Sequence, residues 1–158
     1  MEHKVNINDN IGETPICEAC IKGNEIIVMY LVEHGADINS QDSNGRSPIS
    51  FAFNNRNDHL IKYLVEWGAD VNKNFNNGTT LLFNACRCEN EDLVRYLVEH
   101  GVDINKQGEH GETSLLGACW NGNENIVNYL VEQGADINKS NNDGKTPLYN
   151  AYSNGNEN

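Results

Sequence analysis

Positive charge is scarce in this 158-residue chain: Lys and Arg number 11 against 23 Asp and Glu, a formal net charge of −12. That balance argues against nucleic acid and anionic membrane as partners, because both are held by basic surfaces. It favours a neutral or basic partner face. Long apolar runs are missing too; no stretch approaches the roughly 20 residues that a membrane-spanning helix needs. The opening Met1-Glu2-His3-Lys4-Val5-Asn6 carries no apolar signal-peptide core, so an intracellular, cytoplasmic protein is expected. No Ser/His/Asp or Cys/His arrangement, phosphate-cradling glycine loop or carboxylate pair stands apart. The reading therefore assigns no catalytic residue, no cofactor and no enzyme activity.

Cysteine is present but in no arrangement that carries chemistry. Cys20, Cys86 and Cys119 occupy one repeated position beside a repeated alanine, where a reduced cysteine behaves as a small core hydrophobe. Cys17 and Cys20 form a C-x-x-C, and Cys86 and Cys88 a C-x-C. Neither has the second ligand pair a zinc site requires, so no metal is expected. The acids and amides of Asp37-x-Asn39-x-Gln41-x-Ser43 faintly resemble a calcium loop. Asp42 stands where that loop needs glycine, and no closing Glu follows.

What the chain does have is a period of 33 residues. Gly12, Gly45, Gly78, Gly111 and Gly144 stand one period apart, as do Ala19, Ala52, Ala85, Ala118 and Ala151, and Tyr30, Tyr63, Tyr96 and Tyr129. Gly35, Gly68, Gly101 and Gly134 close each unit before Asp-Ile/Val-Asn, as in Asp37-Ile38-Asn39. A fixed period of this length marks a stacked solenoid, whose units bury their apolar faces only against neighbours. Each unit reads as a helix pair. Thr14, Ser47 and Thr146, each followed by proline, are expected to cap the first helix. Asn24, Asn57, Asn90 and Asn123, each followed by an acid, are expected to cap the second. The stripe Ile27-Val28-x-Tyr30-Leu31-Val32 repeats along the chain and faces neighbouring units. In the first unit Ile26 and Met29 add apolar residues where later units are polar.

The unit G-x-T-P-L-x-x-A-x-x-x-G-N-x-x-I-V-x-Y-L-V-E-x-G-A-D-I-N resembles the ankyrin repeat and covers nearly the whole chain. The resemblance implies an all-α solenoid of helix–turn–helix units with projecting β-hairpin fingers. It implies a single domain over 1–158, with full units at 12–44, 45–77, 78–110 and 111–143 between partial ones at 1–11 and 144–158. Several departures stand out. The histidine of the family's T-P-L-H is replaced by Cys17, Ser50, Phe83, Leu116 and Tyr149. Arg56 and Glu89 stand at the inter-helix turn where Gly23 and Gly122 stand in other units, which predicts a strained left-handed backbone there. Phe75, Gly108 and Asn141 replace the finger aspartate Asp42, which predicts poorly ordered later fingers.

By the same resemblance, the function is protein–protein interaction on the concave face formed by finger tips and the outer residues of each first helix. Carried over by position, this gives Ile11, Glu13, Ile21, Lys22, Asn44, Arg46, Phe75, Asn77, Thr79, Arg87, His110, Glu112, Trp120, Asn121 and Lys145. Trp120 and Phe75, aromatic and expected to be exposed, are the candidate anchors, followed by Arg87 and Arg46. The partner is another protein, without nucleic acid or membrane, and further ankyrin repeats beyond residue 158 are compatible with the unfinished fifth unit. The alternatives are a targeting or substrate-receptor subunit, for instance of a ubiquitin ligase, and a substrate of asparaginyl hydroxylation at Asn39, Asn72, Asn105 or Asn138.

Overall fold

In a computed structural model, residues 14–153 are described, and they contain nine helices. Contacts group the chain into two compact units, Met1–Asp70 and Val71–Asn158. In the first, α1 (Pro15–Ile21) packs on α2 (Glu25–Glu33) and on α3 (Pro48–Asn54), and α3 packs on α4 (Asp58–Glu66). In the second, α5 (Leu81–Arg87) pairs with α6 (Glu91–Glu99), and α7 (Ser114–Asn121) with α8 (Glu124–Glu132). There α7 also lies between α5 and α9 (Pro147–Ser153), so the first helices of successive repeats stack directly.

The helix boundaries follow from local chemistry. Thr14, Thr80, Thr113 and Thr146 place Oγ1 where it accepts the N–H three residues on, at 3.1–3.4 Å. Ser47 departs from that expectation: it makes no side-chain capping bond, and Ser50 Oγ instead donates to its carbonyl at 2.7 Å. Each second helix is capped as expected, with Asn24, Asn57, Asn90 and Asn123 Oδ1 accepting from Ile27, Leu60, Leu93 and Ile126 N–H at 3.0–3.2 Å. Capping of this kind is worth about 1 kcal/mol per helix.

The repeated apolar positions form the cores. Ile16, Leu60, Ile61 and Leu64 are fully buried in the first unit, and Leu81, Leu93, Leu97, Leu115, Leu116, Ile126 and Leu130 in the second. Each such side chain contributes about 1.5–3 kcal/mol relative to exposure. Cys17, Cys20, Cys86 and Cys119 are buried and form no disulfide, and only Cys88 of the five is exposed. Burial pushes Cys20 up to about 12, helped by its neighbour Cys17. Cys86 and Cys119 are likewise raised by burial.

No strand is present among the described residues, and each connection between repeats closes in a compact turn. One expectation about the fingers is corrected. The later turns are as well formed as the first. Asp42 N–H donates to the Arg46 carbonyl at 3.0 Å, and Phe75, Gly108 and Asn141 make the equivalent bond to Thr79, Glu112 and Lys145 at 2.8–3.0 Å. The closing bond uses main-chain atoms only, so it survives loss of the aspartate. Asn141 Oδ1 additionally takes over that carboxylate's place, accepting Asp143 and Lys145 N–H at 3.0 and 2.9 Å. In the second unit, Glu109 N–H reaches the Gly78 carbonyl at 2.8 Å and Asn142 N–H the His110 carbonyl at 3.0 Å. Adjacent turns are thereby tied to one another.

Candidate functional site

Of the residues assigned to the partner surface, Ile11 and Glu13 lie outside the described residues. The others divide into those occupied by the fold and those presented outward. Arg46 belongs to the first group. Its guanidinium grips the fully buried Asp42 carboxylate, Nε at 2.8 Å and the terminal nitrogen at 2.7 Å, and it lies over the Phe51 ring. Burial alone would raise the Asp42 carboxyl. The Arg46 N–H and guanidinium, with the Asn44 N–H, outweigh it and hold the group below the usual carboxylate range.

Phe75 is the clearest correction. It is only 9% exposed, so it cannot serve as an accessible anchor; an apolar side chain in the aspartate's place turns inward out of water. Asn77 is exposed at its turn, with Oδ1 accepting both Thr79 N–H and Oγ1–H at 3.2 and 2.7 Å. Thr79 also accepts Asn84 Nδ2–H at 2.7 Å, which makes it a structural joint. Asn121 likewise uses its amide internally, donating to the Arg87 carbonyl at 2.7 Å. In the first unit Asn55 does the same for α1, donating to the carbonyls of Cys20 and Ile21 at 2.8 and 3.1 Å.

The outward group is smaller. Asn44, Arg87 and His110 are exposed, Ile21 is at the margin of exposure, and Lys22 pairs with Glu18 in water at 3.2 Å. Trp120 is 47% exposed on the last turn of α7. Beside it the second unit has a cleft of about 230 Å³ between α5, α7 and the segment leading into α9. Four of the predicted residues line it together: Arg87, Glu112, Trp120 and Lys145. The Lys145 ammonium leans over the Tyr149 ring, 6.0 Å from its centroid. Six lining residues were missed in the sequence: Phe83, Leu116, Gly117, Asn141, Asp143 and Asn150. Gly117 and Asn150 share the repeat position filled by Glu18, Phe51 and Asn84. A glycine inside a helix at that position, costing about 1 kcal/mol of helix propensity, was the available signal.

A second function went unread. Asn39 and Asn105, at the end of the Asp-Ile-Asn motif, each bridge to the following repeat within their own unit. Asn39 Oδ1 accepts Asp70 N–H at 2.8 Å and its Nδ2 donates to the Gly68 carbonyl at 3.2 Å. Asn105 does so with Asp136 and Gly134 at 2.8 and 3.1 Å.

On the face of α2, Ile26 is 80% exposed, with Ile27 and Tyr30 also exposed; Tyr30 stacks on His34 at 3.9 Å. Among the described residues, no three or more His, Cys, Asp or Glu are grouped to hold a metal ion, and no helix is long and apolar enough to cross a membrane.

No curated protein matches the sequence. A family described as ankyrin repeats (3 copies) matches it at residues 1–75, 69–141 and 111–158. Ankyrin repeats generally act as non-catalytic modules of protein–protein interaction. The helix pairs, the shared register of caps and glycines and this end-to-end match lead to one conclusion: the chain belongs to the ankyrin repeat family.

Proposed function

We propose that this protein binds another protein through the surface shared by its turn tips and the exposed residues of its first helices, with Trp120 as principal anchor. The observation that carries the reading is the cleft beside Trp120, where predicted contact residues from three separate segments converge. Large aromatic side chains beside a recess supply most of the energy of typical interfaces. Exposed polar residues of the same unit, such as Arg87 and His110, supply the polar rim of such a contact. The buried cysteines, which form no disulfide, fit a reducing compartment inside the cell. A further repeat packing on α9 belongs to the same reading, because Leu148 is 77% exposed there with Tyr149 and Tyr152 beside it.

A photo-crosslinking residue at His110, on the turn side, compared with one at Asn128, exposed on α8, tests the placement. Discrete crosslinked protein from the native host at position 110 and none at 128 is the expected result. Crosslinking at 128 alone would move the interface to the second helices and overturn the reading.

A further inference from the structure

The cleft beside Trp120 has a chemistry more specific than a generic contact surface. Its floor is apolar: without a side chain at Gly117, the Phe83 ring and the stem of Arg87 close onto α7. A Cβ added at 117 would stand 3.1 Å from Phe83 ring carbons and 3.3 Å from Arg87 Cγ. One wall is the half-exposed Trp120 indole. Two further lining residues carry oxygens with no hydrogen-bond partner, Glu112 Oε2 and Asn150 Oδ1. Asn150 is 6% exposed, and its Nδ2 donates to the Leu116 carbonyl at 3.3 Å, which fixes the oxygen as the unpaired atom. A buried acceptor left unpaired is costly, and a donor that reaches it is correspondingly favoured. Both residues line the cleft, and both oxygens sit on soft terminal torsions.

Resting on the interaction reading above, we infer that this cleft is a socket for one arginine side chain of the partner protein. At about 230 Å³ it is below the usual range of cofactor and drug-sized sites and suits a single long side chain. A guanidinium has the five donors that two unpaired acceptors call for, and its flat face stacks on indole. The cleft's own charges balance, Glu112 and Asp143 against Arg87 and Lys145, so it is the −12 of the whole chain that favours a cation there. A partner carboxylate could pair with Arg87 and Lys145, but it would leave both buried acceptors unpaired and bring a like charge to Glu112.

The test titrates the 15N-labelled full chain with the acetylated, amidated peptide Gly-Gly-Arg-Gly-Gly and with versions carrying citrulline, lysine or glutamate at the centre. Saturable shifts of the Trp120 indole N–H and the Gly117 amide with the arginine peptide are expected. Citrulline should bind about tenfold more weakly, as should the arginine peptide to Glu112→Gln, the loss of one charge-assisted hydrogen bond. Trp120→Leu should remove the indole contact without adding charge. A glutamate peptide binding as tightly, a lysine peptide equal to arginine, or arginine shifts scattered over the acidic surface without saturation would each overturn the assignment. If Trp120→Leu abolishes capture of the natural partner while the arginine peptide leaves the cleft unshifted, the socket falls and the interaction reading stands. If the peptide docks but partner capture survives Trp120→Leu, the interaction reading is the one that falls.

Discussion

Glu89 holds a left-handed backbone, φ +57°, in the turn between α5 and α6. The corresponding turn between α7 and α8 uses Gly122 at φ +71°. The two positions therefore give opposite predictions from one physical term. A left-handed conformation costs an L-residue about 1–2 kcal/mol. Glycine at 89 removes that strain but restores unfolded-chain freedom worth about 0.4–1 kcal/mol. The Glu89 side chain is exposed, so its removal forfeits little else. Glu89→Gly should thus stabilise the chain by a net 0.5–1 kcal/mol or so, while Gly122→Ala should destabilise it by about 1 kcal/mol. The surrounding bonds, Glu89 N–H to the Cys86 carbonyl and Asn90 N–H to that of Ala85, both at 3.1 Å, need not change. Urea unfolding followed by circular dichroism reads both variants, with an unchanged m-value showing that the unfolded ensemble stays comparable. A destabilising Glu89→Gly, or a neutral Gly122→Ala, would refute the reasoning, because strain at this turn would then not be a property of the residue in it.

Asn90→Ala removes the acceptor at the start of α6 and should cost about 1 kcal/mol in the same assay. Asp42→Ala strips the buried carboxylate from Arg46 and from two turn N–H groups. It should cost about 2 kcal/mol, less than a fully buried pair because Arg46 stays partly exposed. Because the folded Asp42 carboxyl is held low, its contribution should be full above the unfolded value of about 3.9. It should fade as pH falls through the folded value; equal losses for Asp42→Ala at pH 7 and at pH 2 would contradict this. A thiol reagent should titrate Cys88 alone in the native chain and all five cysteines after unfolding, and fast native reaction at Cys20 would count against its buried, raised thiol.

The helical architecture was legible in the sequence because the repeat averages out local ambiguity. One weak propensity repeated at 33-residue spacing becomes a strong pattern. The asparagine caps and the strained turns at Arg56 and Glu89 were readable because position within the unit dictates backbone conformation. The site was less legible. Position within a unit says where a side chain begins, not whether it turns into the protein, as Phe75 and Arg46 both do. The cleft also depends on what neighbouring repeats present at once: a missing side chain at Gly117 matters only because Phe83 lies against it. Periodicity along one strip of sequence does not carry that information.

The central claim, that a partner protein is held around Trp120, is tested most directly by measuring partner affinity for two tryptophan variants. Trp120→Ala and Trp67→Ala remove the same residue type from sites of similar exposure, 47% and 50%. Trp67 stacks at a tilt on Tyr63 at the end of α4, a second helix, and is not among the predicted contact residues. With both variants unfolding cooperatively at midpoints close to that of the parent chain, Trp120→Ala should weaken partner binding about 30-fold, an interface hot spot of about 2 kcal/mol, and Trp67→Ala should leave it unchanged. Equal losses in both variants, or a loss confined to Trp67→Ala, would contradict the account.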